Sequence, residues 1–369
     1  MQFSLYSEMQ YWGGKPREQL YAEVMEQVVN ADRLGFDAYA LIEHFFFDRF
    51  SISPDPAAFF AACAQRTRNI RFRTLMHVLP YHNPAVLASR IGAIDILTEG
   101  RYEFGVARGH GWVPTKAGVN PLETKELYEE GLEILLKALE NERFSHDGTY
   151  FQIDDSHITP RPTHRFRMFA GGTSNSTYEM AGEKGWAMCV PPLLSYEMLR
   201  EPLDVYRDAC ARHGNEPDIV WIHACYIDDD RDTALREAEA GMRGFLRGNA
   251  SPLTAGGELP DADVLRASGF GFYASGIMEA LAETPYEKLI EDDIVWVGTP
   301  ADVIERIEAV QAVCEGLTEI SITVNAGGAE HWQAIKQQEL FASRVMPHFG
   351  RGPASAAAGG RVPPAAGAF

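Results

Sequence analysis

Cysteine is scarce in this chain of 369 residues: Cys63, Cys189, Cys210, Cys225 and Cys314 are all there are, and no two stand at CxxC spacing. That pattern argues against a disulfide framework or a zinc knuckle, and for buried thiols in a reducing compartment. Positive charge is also short, with 33 Lys and Arg against 52 Asp and Glu and a formal net charge of −19. So acidic a chain is ill suited to phosphate backbones or anionic lipid, and neither nucleic acid nor a membrane is expected as a partner. No apolar run approaches the roughly 20 residues needed to cross a bilayer. The opening MQFSLYSEMQYWGG has no basic stretch followed by an apolar one, so the expected location is the cytoplasm. Two chemical signatures are missing as well. No GxGxxG follows a strand and opens a helix, and no HxH or HExxH spacing supports a metal among His44, His77 and His82.

What the chain does have is alternation. Short apolar runs at Gln2–Leu5, Phe36–Leu41, Ile70–Leu79 and Tyr102–Val106 read as strands. Helical stretches follow them at Arg17–Leu34, Pro54–Arg66 (starting after Ser53), Pro84–Leu97 and Pro121–Asn141. An extra hairpin is expected over Phe144–Ile153, turning at Asp147-Gly148. The pattern then resumes with strands at Arg167–Ala170, Ala187–Val190, Ile219–Ile227, Ile294–Val297 and Glu319–Val324. The helices between and after them are Asn175–Lys184, Tyr196–His213, Asp230–Leu246, Pro300–Cys314 and a closing one to about Met346. Roughly eight such units favour a closed (β/α)8 barrel as a single domain over residues 1–349. The glycine-rich, aromatic stretch at about 247–277 reads as an insertion over one end, and 350–369 as a disordered low-complexity tail.

In a parallel barrel, chemistry sits where the strands end. The second strand runs out into Glu43-His44-Phe45-Phe46-Phe47, where His44 is placed for proton transfer in an apolar pocket or for a buried bond to a backbone carbonyl. The fourth runs into Arg108-Gly109-His110-Gly111-Trp112; a guanidinium between close-approach positions suits a phosphate, and His110 is a weaker candidate for touching substrate. The fifth leads into Gly171-Gly172-Thr173-Ser174-Asn175-Ser176-Thr177 directly before a helix, the composition of an anion site built on free amides. Simple capping by Ser174 or Asn175 would explain part of that cluster only.

These segments, in order, resemble the luciferase-like flavin monooxygenases. The matching residues include Gly35-Phe36-Asp37, Glu43-His44-Phe45, Leu79-Pro80 with Asn83-Pro84, Gly100-Arg101, Phe104-Gly105-Val106 with Arg108-Gly109, Val297-Gly298-Thr299-Pro300, and Val345-Met346-Pro347. The resemblance implies a TIM-like barrel with inserts that uses reduced FMN and O2, through a flavin C4a-hydroperoxide, to oxygenate a small organic substrate. It implies that His44 is the catalytic histidine, that Leu75-Met76 supports the isoalloxazine ring through a non-proline cis peptide, and that Arg108 with Gly172, Thr173, Ser174 and Thr177 holds the FMN phosphate. Phe45, Phe46, Trp112 and a lid at Phe270–Tyr273, Phe272 included, would make the dry substrate pocket with His110. A separate flavin reductase and a homodimer are the implied partners. Phe45 departs from the family, which often has a second histidine there. The rival readings are a deazaflavin-dependent dehydrogenase of the same fold, a non-catalytic flavin-binding protein, and a TIM-barrel hydrolase.

Overall fold

A computed structural model describes residues 1–254 and 261–351, and the expected alternation runs through it from the first strand. The remainder of the expected tail, and residues 255–260 of the expected insertion, lie outside the described residues. Strands β1 (Gln2–Ser7), β2 (Ala38–Leu41), β3 (Arg71–Val78) and β4 (Tyr102–Ala107) are followed in turn by helices α1 (Arg17–Leu34), α2 (Pro56–Ala64), α3 (Pro84–Leu97) and α4 (Thr124–Glu140). The antiparallel hairpin is present as β5 (Phe144–Asp147) and β6 (Gln152–Ser156). The second half brings β7 (Met168–Gly171), α5 (Asn175–Lys184), β8 (Ala187–Val190), α6 (Tyr196–His213), β9 (Ile219–Ile227) and α7 (Arg231–Thr254). Short helices α8 (Ala262–Ala267), α9 (Ile277–Glu283) and α10 (Tyr286–Glu291) lead to β10 (Val295–Gly298). The chain closes with α11 (Pro300–Val313), β11 (Leu317–Thr323) and α12 (His331–Leu340).

Eight strands close the ring in the order β1-β2-β3-β4-β7-β8-β9-β11, every pair parallel, with β11 returning to β1. Strand β10 lies outside it, paired to the far end of β9. Local chemistry sets the ends. Gly35 closes α1 at φ 85°, where a side chain would be strained, and Thr299 with Asp302 forms a reciprocal cap on α11. Asp55 caps α2 by accepting from the Ala58 amide; Ser53, the expected start, lies before it. Helix α7 runs past the expected Leu246 to Thr254. It comes in close because Gly248 has no side chain: a Cβ there would stand 2.6 Å from the Arg49 carbonyl oxygen. No described helix is long and apolar enough to cross a membrane.

Residue parity sorts each strand into an outer face against the helices and an inner face filling the barrel. Phe3, Leu5, Tyr39, Leu41 and Phe72 go outward, while Tyr6, Ala40, Phe169, Cys189, Val220 and Ile222 go inward. Strand β3 breaks the rule at one place. Thr74 pairs with Phe104 and His77 with Val106, so β3 carries one extra residue between them. This bulge sends both Leu75 and Met76 toward the interior cluster and returns His77 to the outside. Below that level, fully buried Arg73 bonds Glu103 and Glu319, and Arg167 bonds Glu319 and Asp218. The Arg73 guanidinium lies 4.2 Å from the centre of the Phe169 ring. This paired layer floors the mouth above it.

Candidate active site

The strand registers place the expected residues on one rim. Gly105 pairs with Phe169, so Arg108 and Gly172 each stand three residues further along adjacent strands. Arg108 bonds no carboxylate among the described residues; it donates to the Ser268 and Gly269 carbonyls, at 2.6 and 2.8 Å, and lies over the Phe270 ring at 3.9 Å. Burial lowers its affinity for its proton, and the charges of Glu126 and Glu129, which form no ion pair with it, offset this only in part. Across from it, α5 begins without a side-chain cap. Ser174 spends its hydroxyl on Thr177 (2.9 Å) and Ser176 (3.2 Å) instead. Arg108 and the start of α5 thus follow adjacent strands on one rim, and a guanidinium and helix N-terminal amides are both groups that suit an anion.

Inside the mouth, Ser7 pairs with Leu41 and Leu41 with Thr74. One residue further along, Glu8, Ile42 and Leu75 therefore share an interior rung. The Leu75–Met76 bond is cis. Met76 fills the space left by two glycines: a Cβ on Gly105 would fall 2.0 Å from its Sδ and 2.7 Å from the Phe169 carbonyl oxygen, and one on Gly171 2.7 Å from its Cε. The Met76 thioether can swing aside; the carbonyl cannot. Gly105→Ala is therefore expected to destabilise the barrel by about 1–3 kcal/mol, the usual cost of overpacking, read as a lowered Tm. An unchanged Tm would mean that β4 and β7 are not held this closely.

His44 follows Ile42 on the inner side, 2% exposed. The Trp112 indole N–H, which can only donate, reaches its Nε2 at 3.0 Å. The neutral ring must then carry its proton on Nδ1, and that atom is buried with no partner among the described residues. Burial, and then the nearby His110, hold the His44 pKa well below the usual histidine value. His44 is thus a neutral donor in a dry place. Around it stand Phe50 at 4.2 Å, His110 at 5.3 Å and Trp112, with Tyr273 against Trp112 at 4.7 Å between ring centres. Burial pushes His110 down to about 4.

Three expected pocket residues do not join the aromatic cage around His44. Phe46 sits at φ 71° in a turn that throws it to the surface, 58% exposed, and Phe45 faces Tyr81 at the edge of an outer cavity. Phe272 packs against the α7–α9 cluster, and its neighbour Tyr273 is the residue that reaches the cage. His77 and His82 do not join His44. Parity sends Glu43 outward, and the two histidines bond its carboxylate there at 2.8 and 2.7 Å.

Sequence reading missed Glu8, which lies beyond the expected end of the first strand. Its Oε2 accepts from Gln10 (3.0 Å) and Asn249 (2.9 Å), leaving Oε1 beside the Tyr6 hydroxyl at 3.3 Å. Burial raises its pKa from 4.5 to about 8, so the carboxyl holds a proton at neutral pH. A raised folded pKa means stability that is full below 4.5 and lost as the pH climbs to about 8. Glu8→Gln is expected to flatten the decline of Tm across that window and to melt higher than the unaltered protein above it. Parallel Tm–pH curves for the two proteins would contradict the assignment.

A family model described as luciferase-like monooxygenase matches residues 1–314. The oxygenase component of the flavin-dependent trigonelline monooxygenase of Acinetobacter baylyi is 24% identical over 365 residues, covering 95% of this chain and 96% of that one. Two solved structures share the fold. The oxygenating constituent of 3,6-diketocamphane monooxygenase of Pseudomonas putida, in complex with FMN, has a TM-score of 0.72 at 22% identity over 94% of this chain and 98% of that one. An F420-dependent secondary alcohol dehydrogenase has a TM-score of 0.70 at 16% identity over 94% and 98%.

Proposed function

The chain belongs to the luciferase-like monooxygenase family, and from that premise we propose that it binds reduced FMN in the barrel mouth and oxygenates a small organic substrate with O2. The observation that carries the reading is the shared rim position of Arg108 and the uncapped start of α5, directly above the rung that holds Leu75 and Glu8. The residues present fit the cofactor. A guanidinium without a carboxylate and free helix amides suit a phosphate monoester, and the notch at Gly105 and Gly171 lets an apolar thioether lie flat under a ring. Bound there, reduced FMN supplies the two electrons with which one oxygen atom enters the substrate and the other leaves as water.

The protein's own share is placement, dryness and protons. Arg108 and the α5 amides bind the phosphate. Leu75 and Met76 carry the ring. Phe50, Trp112 and Tyr273 keep water out. Glu8 holds a proton on its carboxyl, and His44 offers an N–H at Nδ1 to oxygen as it gains charge. A reductase on another chain delivers the reduced flavin, a reading supported by the relative that is named an oxygenase component. The test is turnover with ¹⁸O2 and a flavin reductase across a panel of small carbonyl and aromatic compounds. One labelled oxygen atom per product molecule is expected, and a reduced product with no label would overturn it. The deazaflavin reading keeps a footing because the F420-dependent dehydrogenase has the same fold.

A further inference from the structure

We propose that Glu43, His77 and His82 form a site for a divalent transition-metal cation, outside the barrel wall and separate from the mouth. The three residues come from different segments: Glu43 from the end of β2, His77 from β3 and His82 from the turn before α3. Each offers a ligand atom, and these atoms lie within 4.8 Å of one another. Glu43 and His77 are buried and His82 is nearly so, with its side chain 15% exposed. The bulge in β3 builds the cluster, because without the extra residue His77 would face into the barrel.

The surroundings suit a metal centre. His77 turns its second nitrogen to the Tyr102 hydroxyl at 2.8 Å, and Tyr102 bonds Thr74 at 2.7 Å, which fixes the ring as outer partners of ligating histidines do. The Val78 amide donates to Glu43 at 3.0 Å. Two imidazoles and a carboxylate select for zinc and its neighbours over magnesium or calcium, which prefer oxygen alone. Three protein ligands leave a fourth position open. Here it faces a cavity of about 610 Å³ whose lining also includes Asp55 and Arg90. A cation there ties β2, β3 and the start of α3 together, on the opposite side of the strand end that carries His44.

The competing account is a closed hydrogen-bond network in which both rings donate to Glu43. The two accounts place the ring protons differently. To ligate, His77 moves its proton to Nε2, toward Tyr102, and His82 moves its own to Nδ1. Chelator-stripped full-length protein is titrated with Zn²⁺ by calorimetry, and retained zinc is counted by mass spectrometry after dialysis. One equivalent is expected to be retained. His82→Gln and His77→Gln, which keep an amide donor near Glu43, are expected to bind about 100-fold more weakly or worse, with circular dichroism unchanged. His44→Ala is expected to keep the zinc, because His44 lies on the inner side. No retained zinc in the unaltered protein, or retention by both glutamine variants equal to that of the unaltered protein, overturns the proposal. Flavin takes no part in these measurements, so the outcome is independent of the cofactor assignment.

Discussion

Arg108→Ala is expected to bind FMN about 100- to 1000-fold more weakly while its affinity for riboflavin changes little, since charge-assisted hydrogen bonds contribute roughly 1.5–3 kcal/mol each. The reasoning begins with charge. Arg108 is half-buried and bonds carbonyl oxygens; among the described residues no carboxylate is paired with it, and Glu126 and Glu129 act on it without bonding it. A phosphate dianion supplies that pairing, and the planar fork can meet two of its oxygens together. Arg108 also tethers the Ser268–Phe270 segment, so its loss has a second possible consequence, an opened cover over the mouth. Riboflavin separates the two effects. It has the ring and ribityl chain and lacks the phosphate, so an opened cover weakens both ligands alike, whereas a lost phosphate contact weakens FMN alone. Arg108→Lys is expected to fall between, because an ammonium keeps the charge and loses the fork. Equilibrium dialysis of both ligands against the three proteins reads the result. Equal losses for FMN and riboflavin would move the phosphate elsewhere.

His44→Ala is expected to lower kcat by about 10²–10⁴-fold, the usual range for a positioned proton donor. The finer expectation comes from the tautomer. Trp112 occupies Nε2, so only Nδ1 has a hydrogen to offer. An asparagine amide reaches the region of a histidine Nδ1, and a glutamine amide reaches further, toward Nε2. His44→Asn is therefore expected to retain more activity than His44→Gln, although glutamine is closer to histidine in length. Steady-state kcat for the three variants, at saturating flavin and substrate, checks the order. Glutamine outperforming asparagine would mean that the working nitrogen is Nε2 and that Trp112 must move away before turnover.

These two side chains also measure how far the sequence could be read. The β/α alternation was legible, and so was the rim that Arg108 shares with the Gly172 turn, because strand ends and glycine-flanked turns leave marks in a single sequence. The sense of each side chain at a strand end was not. The sequence of β3 gives no sign of the extra residue at Leu75-Met76, yet that residue decides that His77 faces Glu43 and not His44. Phe45 and Phe46 looked like one wall of the His44 pocket because they are adjacent and aromatic, yet with Phe46 at a positive φ the two rings, 6.0 Å apart, edge the outer cavity instead. Glu8 was hidden by a strand that extends to Ser7, beyond its apolar start. Arg73 and Glu319 interrupt apolar runs and would ordinarily count against buried strands; only the closed ring brings them together as a floor. In each case a contact between distant segments overrules the local pattern.

The most direct test of the central claim is a side-by-side anaerobic titration of the protein with reduced FMN and with reduced F420, followed by admission of O2 to each complex. Tight binding of reduced FMN, weak binding of F420 and oxygen uptake by the FMN complex are the expected results. Tight binding of F420 with no oxygen uptake by either complex would contradict the account and make the mouth a hydride-transfer site.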